Sequence, residues 1–224
     1  MTNLSDFKSY IRPATETPIN LKQQFLRLRY DCGIKGDPIC FDHKNKLDID
    51  RFDEMDTTIY IITTEKVNSK EHVITGARIM PTIIDYEFEA PIWHDRIGNY
   101  PLPKSPDIYS GGRWVNRYIV NHQGWSVDGN DKAKGFIANG LMLMNFYRAC
   151  EARGVKTIIG WPSTRIVRFG ERNTMTKRYP GQLKSKGGDG RDICFAEYDV
   201  NEELYNMGLK SFKQGADMLE TAEA

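Results

Sequence analysis

No stretch of the 224 residues approaches the roughly 18 consecutive apolar residues of a membrane-spanning helix, so no membrane partner is expected. Neither charge sign is in excess. The 31 Lys and Arg stand against 30 Asp and Glu, a net +1, so the whole molecule projects no field for nucleic acid or an anionic surface. Cysteine is sparse: Cys32, Cys40, Cys150 and Cys194 include no C-x-x-C pair, and their spacing fits no zinc site. The histidines His43, His72, His94 and His122 are widely separated and form no H-E-x-x-H, so no metal is expected. Met1 to Tyr10 lacks an apolar run behind a basic head, which predicts no secretory signal and a cytoplasmic protein with reduced thiols. Internal repeats and low-complexity segments are also missing. What remains is a chain 40% apolar and 27% charged, of a length suited to one domain with a proper core.

Ile19 to Tyr30 reads as a helix, with Leu21, Phe25 and Leu28 on its apolar face and Lys22, Arg27 and Arg29 elsewhere. Thr58 to Thr64 is β-branched and aromatic and reads as a strand. His72 to Met80 reads as a second strand, joined to the first by the polar loop Glu65 to Glu71 and stopped by Pro81, which cannot donate to a ladder. Pro91 to Asp107, rich in proline and aromatics, reads as an ordered loop, and Arg113 to Asn121 as a third strand. Ala133 to Arg153 is the best helix in the chain, ended by Gly154. Val155 to Trp161 and Ile193 to Val200 follow as strands, and a final helix is placed from Asn201. This order predicts a mixed α/β sheet packed by helices.

Four constellations can carry chemistry. Leu47 to Asp56 (LDIDRFDEMD) sets Asp48, Asp50, Asp53, Glu54 and Asp56 against one Arg51. It is either a solvated loop or a carboxylate cluster that holds a cation, and a buried cluster needs arginines, for which Arg29, Arg78 and Arg113 are the candidates. Gly76-Ala77-Arg78-Ile79-Met80-Pro81-Thr82 reads plainly as an edge strand with a snorkelling arginine. Asp131-Lys132-Ala133-Lys134-Gly135-Phe136 opens the long helix. It is either an exposed lysine-rich start or a phosphate site on Lys132, Lys134, Gly135 and Phe136. In the stretch Lys156 to Arg191, with Asp192 beside it, nine basic residues face three acidic ones. That surface is a solvated face, a dock for an acidic protein, or a contact for nucleic acid, although no recognition motif accompanies it.

The segment G-x-R-x-x-P-T at Gly76 to Thr82, behind an acidic run and a strand carrying Tyr60, resembles the acyl-homoserine lactone (autoinducer) synthase family. The likeness extends over roughly residues 20 to 200. Arg29 resembles the family's helix arginine, and Asp48, Asp50 and Asp53 fall where the family has Glu-x-Asp-x-x-Asp. Pro103 to Pro106 and Tyr109 to Trp114 resemble the segment ending Trp-Glu-x-Ser-Arg-Phe, with Arg113 as its arginine and Trp114 as its aromatic. The strand, helix and strand closed by Gly160-Trp161-Pro162 also resemble the family. The departures are Ser110 at the family's glutamate, Gly33 at a phenylalanine, Ile39 nearest a missing tryptophan, and Asp48 for a glutamate.

The resemblance implies a single domain of N-acetyltransferase-like fold and an N-acyltransferase of quorum sensing. The amine of S-adenosylmethionine, a substrate rather than a cofactor, would attack an acyl thioester on acyl carrier protein or acyl-CoA. It implies a catalytic set of Arg29, Asp48, Asp50, Asp53, Arg78, Ser110 and Arg113. The Lys132, Lys134, Gly135 and Phe136 helix start would stand as a phosphopantetheine or pyrophosphate loop, and the acyl chain would lie near Met142, Leu143 and Phe146. The altered positions leave open a related acyltransferase with another donor or amine, and a binding protein on the same fold, because a serine hydroxyl does not replace a carboxylate in proton removal.

Overall fold

The structure is a computed structural model and describes residues 3–33, 41–86, 89, 101–119, 129–160, 176–178, 185–186, 192–193 and 195–223. The β-branched run that begins at Ile59 pairs on both sides and becomes a central strand, as its packing preference dictates. In chain order the strands are β1 (Phe7–Pro13), β2 (Phe41–Asp42), β3 (Leu47–Asp48), β4 (Ile59–Val67), β5 (Lys70–Pro81), β6 (Ile108–Asn116), β7 (Thr157–Gly160), β8 (Thr176–Arg178), β9 (Ser185–Lys186), β10 (Asp192–Ile193) and β11 (Ala196–Asp199). The helices are α1 (Ile19–Gly33), α2 (Gly129–Glu151) and α3 (Glu202–Glu223).

Among the described residues seven strands form one sheet in the order β1-β4-β5-β6-β7-β11-β8. All neighbours are antiparallel except β6 and β7. The predicted mixed α/β sheet packed by helices is therefore the architecture found. Helix α1 covers one face: Leu21, Phe25 and Leu28 pack on Tyr60, Ile62 and Val73. Helix α2 covers the other, where Met142, Phe146 and Ala149 meet Ile59, Ile61, Ala77 and Ile79. Cys150 belongs to this second core and is fully buried, and burial pushes its thiol up to about 12, as befits a packing residue.

Several expectations shift. The hairpin between β4 and β5 is tighter than the sequence reading, turning on Asn68 and Ser69, both at positive φ, as a two-residue turn requires. Strand β6 begins five residues before the expected Arg113 and gives way to a 3-10 turn (Arg117–Ile119) before Asn121. Pairing with β5 from Tyr109 carries the strand through Gly111 and Gly112. Helix α2 starts at Gly129 rather than Ala133, and the last expected strand is divided into β10 and β11. Strand β1 is absent from the sequence reading, because its alternation of polar and apolar groups is weak and its place is set by pairing with β4. Ile39, most of the loop at 91–107, and Trp161 and Pro162 lie outside the described residues.

Candidate active site

The acidic run owes its shape to its own side chains. Asp50 caps the 3-10 turn Arg51–Glu54: its carboxylate accepts from the Phe52 amide at 3.0 Å, and its own amide donates to Asp53 Oδ2 at 2.9 Å. That reciprocal box fixes Asp50 and Asp53 relative to each other before any tertiary contact. The short β2–β3 hairpin delivers Asp48 beside them.

Helix α1 and strands β5 and β6 bring the cations, and β4 brings Tyr60. Arg29 forks onto Asp53, with Nη1 to Oδ1 at 2.7 Å and Nη2 to Oδ2 at 3.2 Å, and its Nε donates to Asp48 at 3.2 Å. Arg78 Nη1 donates to Asp50 at 2.6 Å and to Asp53 at 2.9 Å. Tyr60 donates its hydroxyl to Asp53 Oδ1 at 2.7 Å. Arg113 reaches Asp48 at 3.2 Å and Asp50 at 3.4 Å. Asp53 is the hub: it accepts from Arg29 twice, Arg78, Tyr60 and the Asp50 amide.

Three guanidiniums and three carboxylates make the network neutral. The Arg29, Arg78 and Asp53 side chains are wholly shielded, while those of Asp50 and Arg113 keep 12% and 20% of their surface. The open side of the network is therefore the Asp50–Arg113 rim.

Strand β6 presents that rim through a bulge. Gly76 pairs with Val115 and Arg78 with Gly112, so Arg113 and Trp114 together oppose Ala77. Arg113 sits at φ 56°. A non-glycine residue there costs about 1–3 kcal/mol and persists where its surroundings over-determine it. Arg113 turns toward the carboxylates, while Trp114 stacks on Phe146 of α2, with ring centroids 6.1 Å apart and planes 17° from parallel.

Electrostatics follow from the geometry. Burial alone would raise the Asp53 carboxyl, but Arg29 and then Arg78 outweigh it and hold it well below the usual carboxylate range. Asp50 is also lowered: burial raises it most, and the charge and hydrogen bond of Arg78, with the charge of Arg113, together overcome burial and the neighbouring Asp53. Burial and the Asp53 charge push the Tyr60 hydroxyl up, so it stays a donor.

Two depressed carboxyls have a signed consequence. Their contribution to stability is present above the unfolded value, about 3.9, and is lost as pH falls through the folded values. Unfolding free energy is thus expected to show no loss from these two groups between pH 7 and 5 and to fall steeply below about pH 4. Denaturant titrations of the wild type and Asp50→Asn across that range check this. A wild-type loss already under way between pH 6 and 5, and reduced in Asp50→Asn, would mean that the carboxyls are not held low.

Six of the seven predicted catalytic residues meet in this one network. The seventh, Ser110, lies fully buried on β6, opposite Met80 and beside Ile159, on the sheet face that carries Arg78. The predicted phosphate site is corrected in its geometry. Because α2 begins at Gly129, the amides of Gly135 and Phe136 lie inside the helix, beyond the first turn where amides are free. Lys134 pairs with buried Glu65 at 2.7 Å, and Tyr118 donates to the same carboxylate. The Gly135 carbonyl accepts from Asn116 and the Phe136 carbonyl from Ser211, while Lys132 is exposed. Met142, Leu143 and Phe146 are buried as expected for packing or a chain pocket. Arg165, Arg168 and Arg172 of the basic stretch lie outside the described residues.

Sequence reasoning misses three supports. It sets Lys22 and Arg29 off the buried face, yet Lys22, Phe25 and Arg29 share one stripe and all are buried. Phe25 meets Tyr60 edge-on at 5.0 Å and lies under the Arg29 guanidinium at 5.5 Å. Phe52 backs Arg78 at 5.9 Å. The spacing i, i+3, i+7 in α1 is the signal that could have found the stripe.

No family model and no curated protein matches the sequence. Solved structures do match the fold. The AHL synthase LasI is 15% identical at a TM-score of 0.65, over 92% of this chain and 96% of LasI. The CoA-dependent acyl-homoserine lactone synthase BjaI, solved with SAM and isopentyl-CoA, is 13% identical at a TM-score of 0.66, over 92% and 90%. TofI, solved in a ternary complex with an inhibitor and MTA, is 16% identical at a TM-score of 0.62, over 90% and 96%. Likenesses of this extent at 13–16% identity are likenesses of fold, and the chain is built on the fold of the acyl-homoserine lactone synthases.

Proposed function

We propose that the protein is an N-acyltransferase that makes an acyl-homoserine lactone signal from an acyl thioester and S-adenosylmethionine. The observation that carries this reading is the buried, neutral network of Arg29, Arg78, Arg113, Asp48, Asp50 and Asp53, open at the Asp50–Arg113 rim. A neutral site suits a zwitterionic amino-acid head, which brings one charge of each sign and adds no net charge. Arg113 is placed for its carboxylate. Asp48 Oδ1 is buried and has no hydrogen-bond partner among the described residues, which suits an incoming ammonium.

In this reaction the free amine attacks the thioester carbonyl, the C–S bond breaks, and the thiol leaves with the proton. The substrate carboxylate then attacks the carbon beside the sulfonium. That second C–S bond breaks, methylthioadenosine leaves with the electron pair, and the lactone closes. The thioester is already activated, so the chain's task is alignment and support of the developing oxyanion. Asp50, held ionised by Arg78, is a weak base and serves to hold the amine. The thioester approaches along β6: β6 and β7 pair only from Ile108 to Ser110, and among the described residues no strand covers that edge of β6 beyond Ser110. Trp114 and Phe146 lie beside the opening.

Ser110 favours one alternative, a related N-acyltransferase using another amine or donor, because a buried hydroxyl stands where the resemblance puts a glutamate. Incubation with S-adenosylmethionine and a panel of acyl-CoA and acyl-carrier donors, read by mass spectrometry, decides. The expected products are an acyl-homoserine lactone and methylthioadenosine. An acylated amine without methylthioadenosine would select the alternative, and no acylated product with any donor and amine would leave a binding protein.

A further inference from the structure

The charge network has one neighbour that neither the reaction nor the resemblance accounts for. Lys22 of α1 is 8% exposed, and a lysine buried to that degree needs a partner. It has two: the backbone carbonyl of Asp53 at 2.8 Å and the Glu54 carboxylate at 3.0 Å. Glu54 is mostly in solvent, with 63% of its side chain exposed, so the ion pair is the weaker half of this contact. The carbonyl is the stronger half, because a buried C=O at the end of a 3-10 turn needs a donor.

Seven residues further along the same face of α1, Arg29 grips the Asp53 carboxylate. The helix therefore holds Asp53 at both ends, by its main chain and by its side chain. Asp50 is boxed to Asp53 through the turn, so fixing Asp53 also fixes the carboxylate at the open rim.

We infer that Lys22 is a positioning residue: through the Asp53 carbonyl it sets the angle of the turn that presents Asp50 and Asp53, and so tunes the site for the amino-acid part of its ligand. The inference rests on the proposed use of that network for S-adenosylmethionine. It also has a readout that does not depend on that use. The groups facing the turn are Arg29, Arg78 and Tyr60 on Asp53, Arg78 and Arg113 on Asp50, and Lys22 on Glu54.

Lys22→Met keeps the stem and removes the donor. Isothermal titration with S-adenosylmethionine is expected to show roughly tenfold weaker binding, the worth of a lost charged hydrogen bond. Lys22→Arg is expected to restore most of it, and Glu54→Gln to leave it unchanged. Independently, in a Glu54→Gln background, which removes the titration of the Lys22–Glu54 pair, the stability difference made by Lys22→Met is expected to shrink as pH falls from 5 to 3. With the turn loosened, Asp50 and Asp53 are less depressed in the variant, so acid removes less from it than from its parent. A helix residue that only packs gives a difference that does not change with pH. A pH-independent difference, or wild-type affinity in a folded Lys22→Met, would overturn the inference. If the methionine variant does not fold, Lys22→Gln, which is too short to reach the carbonyl, takes its place in both measurements, and the same outcomes support or overturn the inference. A wild type that does not bind S-adenosylmethionine would sink the proposed substrate while leaving the pH measurement to judge Lys22.

Discussion

Asp53→Ala is expected to be the most damaging single change at the site, costing about 3–5 kcal/mol of stability and abolishing turnover in whatever fraction folds. The reason is the number of groups it strands. Arg29 and Arg78 have wholly shielded side chains and both rest on Asp53, and Tyr60 loses its acceptor as well. Two carboxylates then face three guanidiniums in a site with little water to screen them. Asp53→Asn removes the charge and keeps the shape, but its amide NH2 faces donors, so it is expected to lose nearly as much. Denaturant unfolding gives the stability and product formation per folded molecule gives the activity. An Asp53→Asn protein as stable and as active as wild type would show the network to be dispensable. Replacing whole buried ion networks with apolar groups is often neutral for stability. The retention of six charged residues here therefore fits a binding task better than a stabilising one.

Gly76→Ala is expected to reach the same site through Phe25, on the stripe of α1 that carries Lys22 and Arg29. A Cβ at Gly76 would lie 2.4 Å from Cε2 and 2.7 Å from Cδ2 of Phe25, and 3.2 Å from the Ile61 carbonyl oxygen. Phe25 is fully buried, wedged against Tyr60 and under Arg29, so its ring has nowhere to retreat without moving α1. Overpacking of this kind costs about 1–3 kcal/mol. Because Lys22 and Arg29 ride on the same helix, affinity for S-adenosylmethionine is expected to drop at least tenfold, roughly the effect of a 1.4 kcal/mol loss. Thermal melting with calorimetric titration separates the two effects. Wild-type affinity in Gly76→Ala would mean that Phe25 adjusts without passing strain to Arg29. The glycine of G-x-R thus has a physical reason: it makes room for the Phe25 ring that lies under the Arg29 guanidinium.

Some of this was legible one residue at a time. The β-branched run at Ile59, the proline that ends β5 and the long apolar stripe of α2 each state their local structure through short-range preferences. The acidic run was legible as a cluster that must find cations if buried, and the three arginines named for it are the three that arrive. Other features were not legible. Lys22 reads as a solvated lysine because the partners that make its burial tolerable, the Asp53 carbonyl and the Glu54 carboxylate, lie 31 and 32 residues away. Lys134 reads as a phosphate ligand because Glu65, its partner, lies 69 positions earlier, in strand β4. The early start of β6 was not legible because Gly111 and Gly112 carry no strand preference of their own and are held in the strand by pairing with Ile79 and Arg78.

The sequence by itself determined the three helices and the central strands β4, β5 and β7, and that carboxylates and arginines occur in balanced number near one end of the central strands. It did so because periodicity, β-branching and proline act within a few residues. Tertiary structure decided which oxygen each guanidinium takes, that Asp53 and not Asp50 is the hub, and that Arg113 turns inward at positive φ. Those outcomes depend on strand register, on a bulge and on the packing of α1. Each is a long-range quantity, set only when the whole sheet closes and the desolvation of one charge must be met by another brought from far along the chain.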